Sequence, residues 1–103
     1  MASGTLSQVA LAAGTNTSVY TVPTGKLATV NISFCNRAIV SAWIRMAVST
    51  STSPANGEWI LYDVMVGQNG TFEKTALVMS AGKQLICYAD TANISVNVYG
   101  YED

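Results

Sequence analysis

The strongest constraint on this chain is a period of two. Val30, Ile32 and Phe34 alternate with Asn31 and Ser33, and Val40, Ala42, Ile44, Met46 and Val48 alternate with Ser41, Trp43, Arg45 and Ala47. Ile60, Tyr62, Val64 and Val66 form one set opposite Trp59, Leu61, Asp63 and Met65; Ile94, Val96 and Val98 alternate with Ser95, Asn97 and Tyr99. Successive side chains of a strand point to opposite faces, so each run buries one face and wets the other. β-branched and aromatic residues fill these runs, as strands prefer.

Turn formers punctuate them. Pro23-Thr24-Gly25-Lys26 suits a type I turn that ends in a left-handed residue. Gly67-Gln68-Asn69-Gly70, Ser80-Ala81-Gly82-Lys83 and Asp90-Thr91-Ala92-Asn93 read as further turns. Ser49 to Gly57 is small and polar and reads as a flexible surface loop. The spacing predicts about eight strands, over 5–11, 17–22, 27–36, 39–49, 58–66, 71–79, 84–90 and 94–101. Strands this regular without a helical pattern predict an all-β fold: a single antiparallel β-sandwich over 1–103, jelly-roll or immunoglobulin-like. Within it 1–16 reads as an N-terminal arm or edge strand. There is also an internal echo: Val22-Pro23-Thr24-Gly25-Lys26-Leu27 and Met79-Ser80-Ala81-Gly82-Lys83-Gln84 each lead into a run that carries a cysteine.

Composition narrows function mainly by exclusion. Only 11% of the 103 residues are charged, and five Lys/Arg against six Asp/Glu leave a net charge of -1. Nucleic-acid binding needs a clustered basic surface, so it is not expected. The chain holds no histidine, which removes a Ser/His/Asp device and the usual proton carrier near neutral pH. The acids Glu58, Asp63, Glu73, Asp90, Glu102 and Asp103 are scattered; a small hydrolase would have to draw on Glu58 or Asp63. No glycine-rich segment joins a strand to a helix, so no phosphate loop is expected. We therefore expect no catalytic residue, no cofactor and no metal site.

Met1 to Gln8 lacks the basic and apolar regions of a secretory signal, and no apolar run approaches the roughly 20 residues of a membrane span, so no membrane contact is expected. Cys35 and Cys87 read as two reduced, largely buried thiols, with a mutual disulfide as the alternative. The four N-x-S/T sequons, at Asn16, Asn31, Asn69 and Asn93, read as incidental in a chain so rich in Asn, Ser and Thr.

The aromatic residues are more telling. If Val, Ile and Phe mark the core, then Trp43 with Arg45, Trp59, Tyr99 and Tyr101 point outward as interface candidates. The long strands also lack the charges and prolines that usually guard sheet edges. Both features predict a chain covered by other copies of itself or by another protein. Sugar rings stacked on Trp43, Trp59 or Tyr101 are the alternative, a carbohydrate-binding module.

The segment from Ser18 to Ile32, with Cys35-Asn36-Arg37, the Ala81-Gly82-Lys83 corner and the close from Ser95 to Asp103, resembles small β-sandwich virion proteins of tailed bacteriophages. The resemblance spans most of 17–103 and implies a non-enzymatic structural role, as capsid decoration (cement) or as a tail, baseplate or fibre component. It implies oligomerisation, contact with other virion proteins, a host-surface glycan for a fibre, and assembly in the host cytoplasm. It carries over no site residues.

Overall fold

The computed structural model describes residues 3–103, and the alternating runs form eight strands. They are β1 (Ser3–Ala10), β2 (Thr17–Thr21), β3 (Ala28–Asn36), β4 (Ala42–Ser49), β5 (Trp59–Val66), β6 (Thr71–Met79), β7 (Gln84–Ala89) and β8 (Ile94–Glu102). A single 3-10 turn, Asn56–Glu58, precedes β5. The strands make two four-stranded sheets, β1-β8-β3-β6 and β2-β7-β4-β5, with every pair antiparallel. The chain is thus a nested hairpin: β4 pairs β5, β3 pairs β6, β2 pairs β7 and β1 pairs β8. Rolling that hairpin brings β3 against β8 and β4 against β7. This wiring is a jelly roll, and the immunoglobulin-like alternative falls away.

The core lies between the sheets. Ala28, Val30, Ile32 and Phe34 of β3 and Ile94, Val96 and Val98 of β8 face Ala42, Ile44 and Met46 of β4 and Leu85, Cys87 and Ala89 of β7, all buried. Each large side chain so buried is worth about 1.5–3 kcal/mol relative to exposure. Tyr20 belongs to the core as well, and its hydroxyl donates to Glu102 Oε2 at 2.5 Å, joining β2 of one sheet to β8 of the other. Burial first, and then this bond to a carboxylate, raise the Tyr20 pKa well above its ordinary value.

The echoed corners are physically joined. The β2–β3 corner and the β6–β7 corner cross between the sheets in opposite senses and grip one another: Val22 N donates to Lys83 O at 2.9 Å and Gly82 N to Val22 O at 3.0 Å. Gly25 and Gly82 take φ of 76° and 80°, the left-handed values that the turn reading required.

Three expectations are corrected. Residues 39–41 are not strand: the chain turns there, and Ile39 and Val40 are exposed. In β5 the period breaks, because Ile44 pairs Val64 while Met46 pairs Leu61, so Tyr62 and Asp63 both stand opposite Arg45. Leu61 and Val64 therefore pack inward, whereas Ile60 and Tyr62 are exposed. Cys35 stands half-buried on the outer face of β3 while Cys87 lies in the core, and both are free. Burial holds the Cys87 thiol far above its ordinary pKa and hence inert.

The edges are also better protected than composition suggests. Register shifts interrupt every pair that involves an edge strand: β1 at Thr5/Ser7, β2 at Ser18/Tyr20, β6 opposite Val30/Ile32 and β5 at two places. The inner pairs β3·β8 and β4·β7 run unbroken. Bulges twist an edge away from further pairing, so backbone geometry does the guarding that charge does elsewhere.

Gly100 is the tightest backbone position. It has φ 153°, and a Cβ there would lie 2.2 Å from Thr29 O and 2.9 Å from Val30 Cα. Gly100→Ala is expected to lower stability by about 3 kcal/mol, by forcing β8 off β3. Urea unfolding of the two proteins at matched m-value checks this.

Candidate functional site

The outer face of the β2-β7-β4-β5 sheet divides into a covered half and an open half. Ala47 and Ile86 point outward, opposite the core residues Met46 and Leu85, yet both are fully buried. Residues 50–58 and Trp59 provide the cover. Asn16 Nδ2 donates to Thr52 O at 3.0 Å, Gln84 Nε2 donates to Thr50 O at 2.9 Å, and Trp59 pairs with Ala47. The segment read as a flexible loop is therefore strapped across the sheet. Glu58 fastens its base by accepting from Ser49 Oγ and from the Ala55 amide, both at 2.8 Å. These two bonds, the Ala55 amide first, lower the Glu58 pKa.

The open half carries an aromatic and charged cluster centred on Arg45. Cross-strand pairing sets Tyr88 of β7 directly beside it. On its other flank the β5 bulge supplies two residues where a regular strand would supply one: Tyr62, which offers a ring, and Asp63, which offers a carboxylate. The Arg45 guanidinium lies 4.1 Å from the Tyr62 ring centroid and 4.6 Å from that of Tyr88. Its Nε donates to Asp63 Oδ1 at 2.7 Å, and that bond raises the Arg45 pKa further. Cation–π contacts favour such stacking over a ring face. The ion pair itself is exposed and is worth about 0–1 kcal/mol, so it orients the groups more than it stabilises the fold. Trp59 meets Tyr62 edge-on at 5.3 Å, which continues the row toward the strap.

Trp43 completes the cluster, 44% exposed. Its amide donates to Asp90 Oδ1 at 2.9 Å and its carbonyl accepts from the Asp90 amide at 3.1 Å, so Trp43 and Asp90 are locked together. Trp43, Arg45, Asp63, Tyr88 and Asp90 line an open depression of about 430 Å³. Its makeup suits recognition of a ligand by stacking and hydrogen bonding. Among the described residues no three His, Cys, Asp or Glu side chains gather as a metal site.

The five residues singled out by alternation do not form one surface. Trp43, Arg45 and Trp59 share the outer face of this sheet. Tyr99 and Tyr101 of β8 stand on the outer face of the opposite sheet, beside Asn31 and Thr29 of β3. There Tyr99 donates to Glu73 Oε2 at 2.7 Å, amid small polar side chains such as Ser33 and Asn97. Glu58 and Asp63, the acids weighed for hydrolysis, serve separate partners: one holds the strap and the other holds Arg45. Tyr62, Tyr88 and Asp90 were not singled out. Tyr62 looked like core, and only the lone Asp63 inside an apolar run hinted that the period fails there.

Comparison with protein-family models, with curated proteins and with solved structures gives no match.

The strap should respond to acid. Because the pKa of Glu58 is lowered by folding, its contribution is fully present above the ordinary glutamate range and is lost as pH falls through the lower folded value. Protection of the Ala55 amide, the intrinsic exchange rate relative to the observed rate at the same pH, is expected to fall over that window. Glu58→Gln is expected to show the lower protection already at neutral pH.

Proposed function

We propose that the chain is a non-enzymatic structural subunit of a tailed-bacteriophage particle, in the head as decoration or in the tail, baseplate or fibre, working through contacts with copies of itself and with other virion proteins. The observation that carries this reading is the tip between β3 and β4. Ile39 and Val40 are 76% and 66% exposed, yet the backbone that presents them is clamped. Buried Asn36 donates through Nδ2 to Val40 O at 2.8 Å and to Val66 O and Gly67 O at 3.2 Å, and its Oδ1 accepts from the Ala38 amide at 3.0 Å. Asn69 N donates to Ala38 O, and Arg37 is tied through N to Asn93 O and through Nη2 to Ala92 O. A loop free to move could fold two aliphatic side chains away from water; this one cannot.

A rigid apolar tip is what a subunit inserts into a neighbour, because it buries area with little ordering entropy left to lose. At the other end of β3 a second exposed set, Leu27, Val78 and Tyr101, flanks Thr29. The two sets lie roughly 30 Å apart at 3.4 Å per residue of strand. Unlike surfaces at opposite ends suit repeated contacts between neighbours in a lattice or stack. The resemblance of residues 18–32, 35–37, 81–83 and 95–103 to virion β-sandwich proteins supports the same reading. The jelly roll is compatible with it, since that fold serves capsids as well as lectins, but fold alone assigns no role.

Sedimentation velocity over a concentration series tests this. The intact chain is expected to associate, and an Ile39→Asp, Val40→Asp double variant is expected to stay monomeric with a Tm shifted by no more than about 2 °C, as for exposed positions. A wild-type chain that stays monomeric at high concentration and is absent from purified particles would overturn the reading.

A further inference from the structure

We infer that the depression on the outer face of the β2-β7-β4-β5 sheet is a binding site for a neutral saccharide, with a sugar ring lying on Trp43 and its hydroxyls bridging Arg45 to Asp63 and Asp90. The inference does not rest on the particle role: the residues are different from those of the β3–β4 tip, and so is the test.

Four features carry it. The first is size and shape. About 430 Å³ lies within the roughly 300–1,000 Å³ of small-molecule sites, and the depression is open, as suits a ligand that stays partly in water.

The second is an exposed ring with no job in the fold. Trp43 contributes nothing to the core, yet its backbone is fixed to Asp90 from both sides, so the indole is offered from a rigid base. The apolar C–H face of a sugar ring can cover such an indole, and aromatic side chains contribute large contact area with few torsions to order.

The third is an unspent set of polar atoms. Arg45 uses Nε for Asp63, while neither Nη makes a protein hydrogen bond among the described residues. Asp63 and Asp90 each engage Oδ1 alone and leave Oδ2 without a protein donor among those residues. Stacking between Tyr62 and Tyr88 holds the guanidinium plane in place, so these donors and acceptors are ordered before any ligand arrives. Adjacent sugar hydroxyls both donate and accept, which is what a mixed set of Nη donors and carboxylate acceptors requires.

The fourth is backbone strain at the point that completes the site. Asp63 holds φ 55° inside a strand, a left-handed conformation uncommon for a residue other than glycine. That conformation belongs to the bulge that sets Asp63 and Tyr62 together against Arg45. Strain of this kind, of order 1–3 kcal/mol, persists where surrounding contacts over-determine it, and bulges re-aim side chains beside binding sites.

Charge selects against the other small ligands. One guanidinium and two carboxylates sum to -1, which repels a phosphate or a carboxylated sugar. A compact cation could exploit the rings and carboxylates but would leave the Arg45 donors unused and too near, so the comparison with choline belongs in the test.

The test is an amide and indole NMR titration of the full chain with glucose, galactose, mannose and N-acetylglucosamine, and with di- and trisaccharides of each. Choline and inorganic phosphate serve as comparison probes. At least one neutral sugar is expected to give saturable shifts at the Trp43 indole and at the Arg45, Asp63 and Asp90 amides, with Kd of about 1 mM, the −4.1 kcal/mol scale of a small open site. Trp43→Ala is expected to weaken that binding about tenfold or more while the rest of the spectrum keeps its dispersion, and Trp43→Phe, which restores a ring, to recover part of it. The inference is overturned if no neutral sugar gives a saturable shift, if the shifts survive Trp43→Ala, or if choline alone moves these resonances. A negative result here leaves the association measured at Ile39 and Val40 standing.

Discussion

Two unbroken ladders, β3 against β8 and β4 against β7, hold the rest of this molecule in place. They supply the centre of each sheet, and their inward residues, from Phe34 and Val96 to Ile44 and Leu85, make most of the buried core. Because these ladders keep perfect alternation, they fix which side chains must face out, including Trp43, Arg45 and Tyr88. Gly100 shows how close the first ladder is, since its backbone approaches Thr29 with no room for a methyl group. Edge strands can then depart from regularity without loosening the core, and all four do.

Those departures are where surface chemistry is made. A regular β5 would have placed one residue opposite Arg45; the bulge places two, so that a ring and a carboxylate act on the same guanidinium. The same irregularity discourages a further strand from adding to that edge. Protection of the margins and construction of a polar, aromatic cluster thus arise from a single backbone feature. The thinly charged sequence, which argued for edges hidden by neighbours, is accommodated in a different way, and the case for association rests on the apolar tip at Ile39 and Val40.

How much could be seen in the sequence differs from element to element for physical reasons. The ladders were legible because a period of two is a local property, and so were the Pro23–Lys26 and Ser80–Lys83 corners, where left-handed glycines are a local need. The outward position of Trp43, Arg45, Trp59, Tyr99 and Tyr101 followed from the same period, but which of them meet did not, since alternation is silent about which sheet a strand joins. Ile60 and Tyr62 were misplaced because a bulge inverts a face without changing composition. The strap over Ala47 and Ile86 was hidden because Ser and Thr read as loop wherever they go. Gly100 looked like any strand glycine, since the clash that excludes a side chain comes from a segment about seventy residues earlier.

Nesting of the four hairpin pairs also bears on the route by which the chain becomes ordered. The β4–β5 pairing closes a connection of nine residues, whereas β1 and β8 must bring together the two extremes of the polypeptide. Closing a long loop from an unstructured chain is entropically dear, but once an inner pair has formed, the next outer pair has only a short additional stretch to close. Loop-closure entropy thus favours pairing that spreads outward from the 49–59 bend, with the β1–β8 seam the costliest to close on its own. Topologies this rich in distant contacts fold slowly, in milliseconds to seconds, and until β1 docks, β8 offers a free edge beside β3.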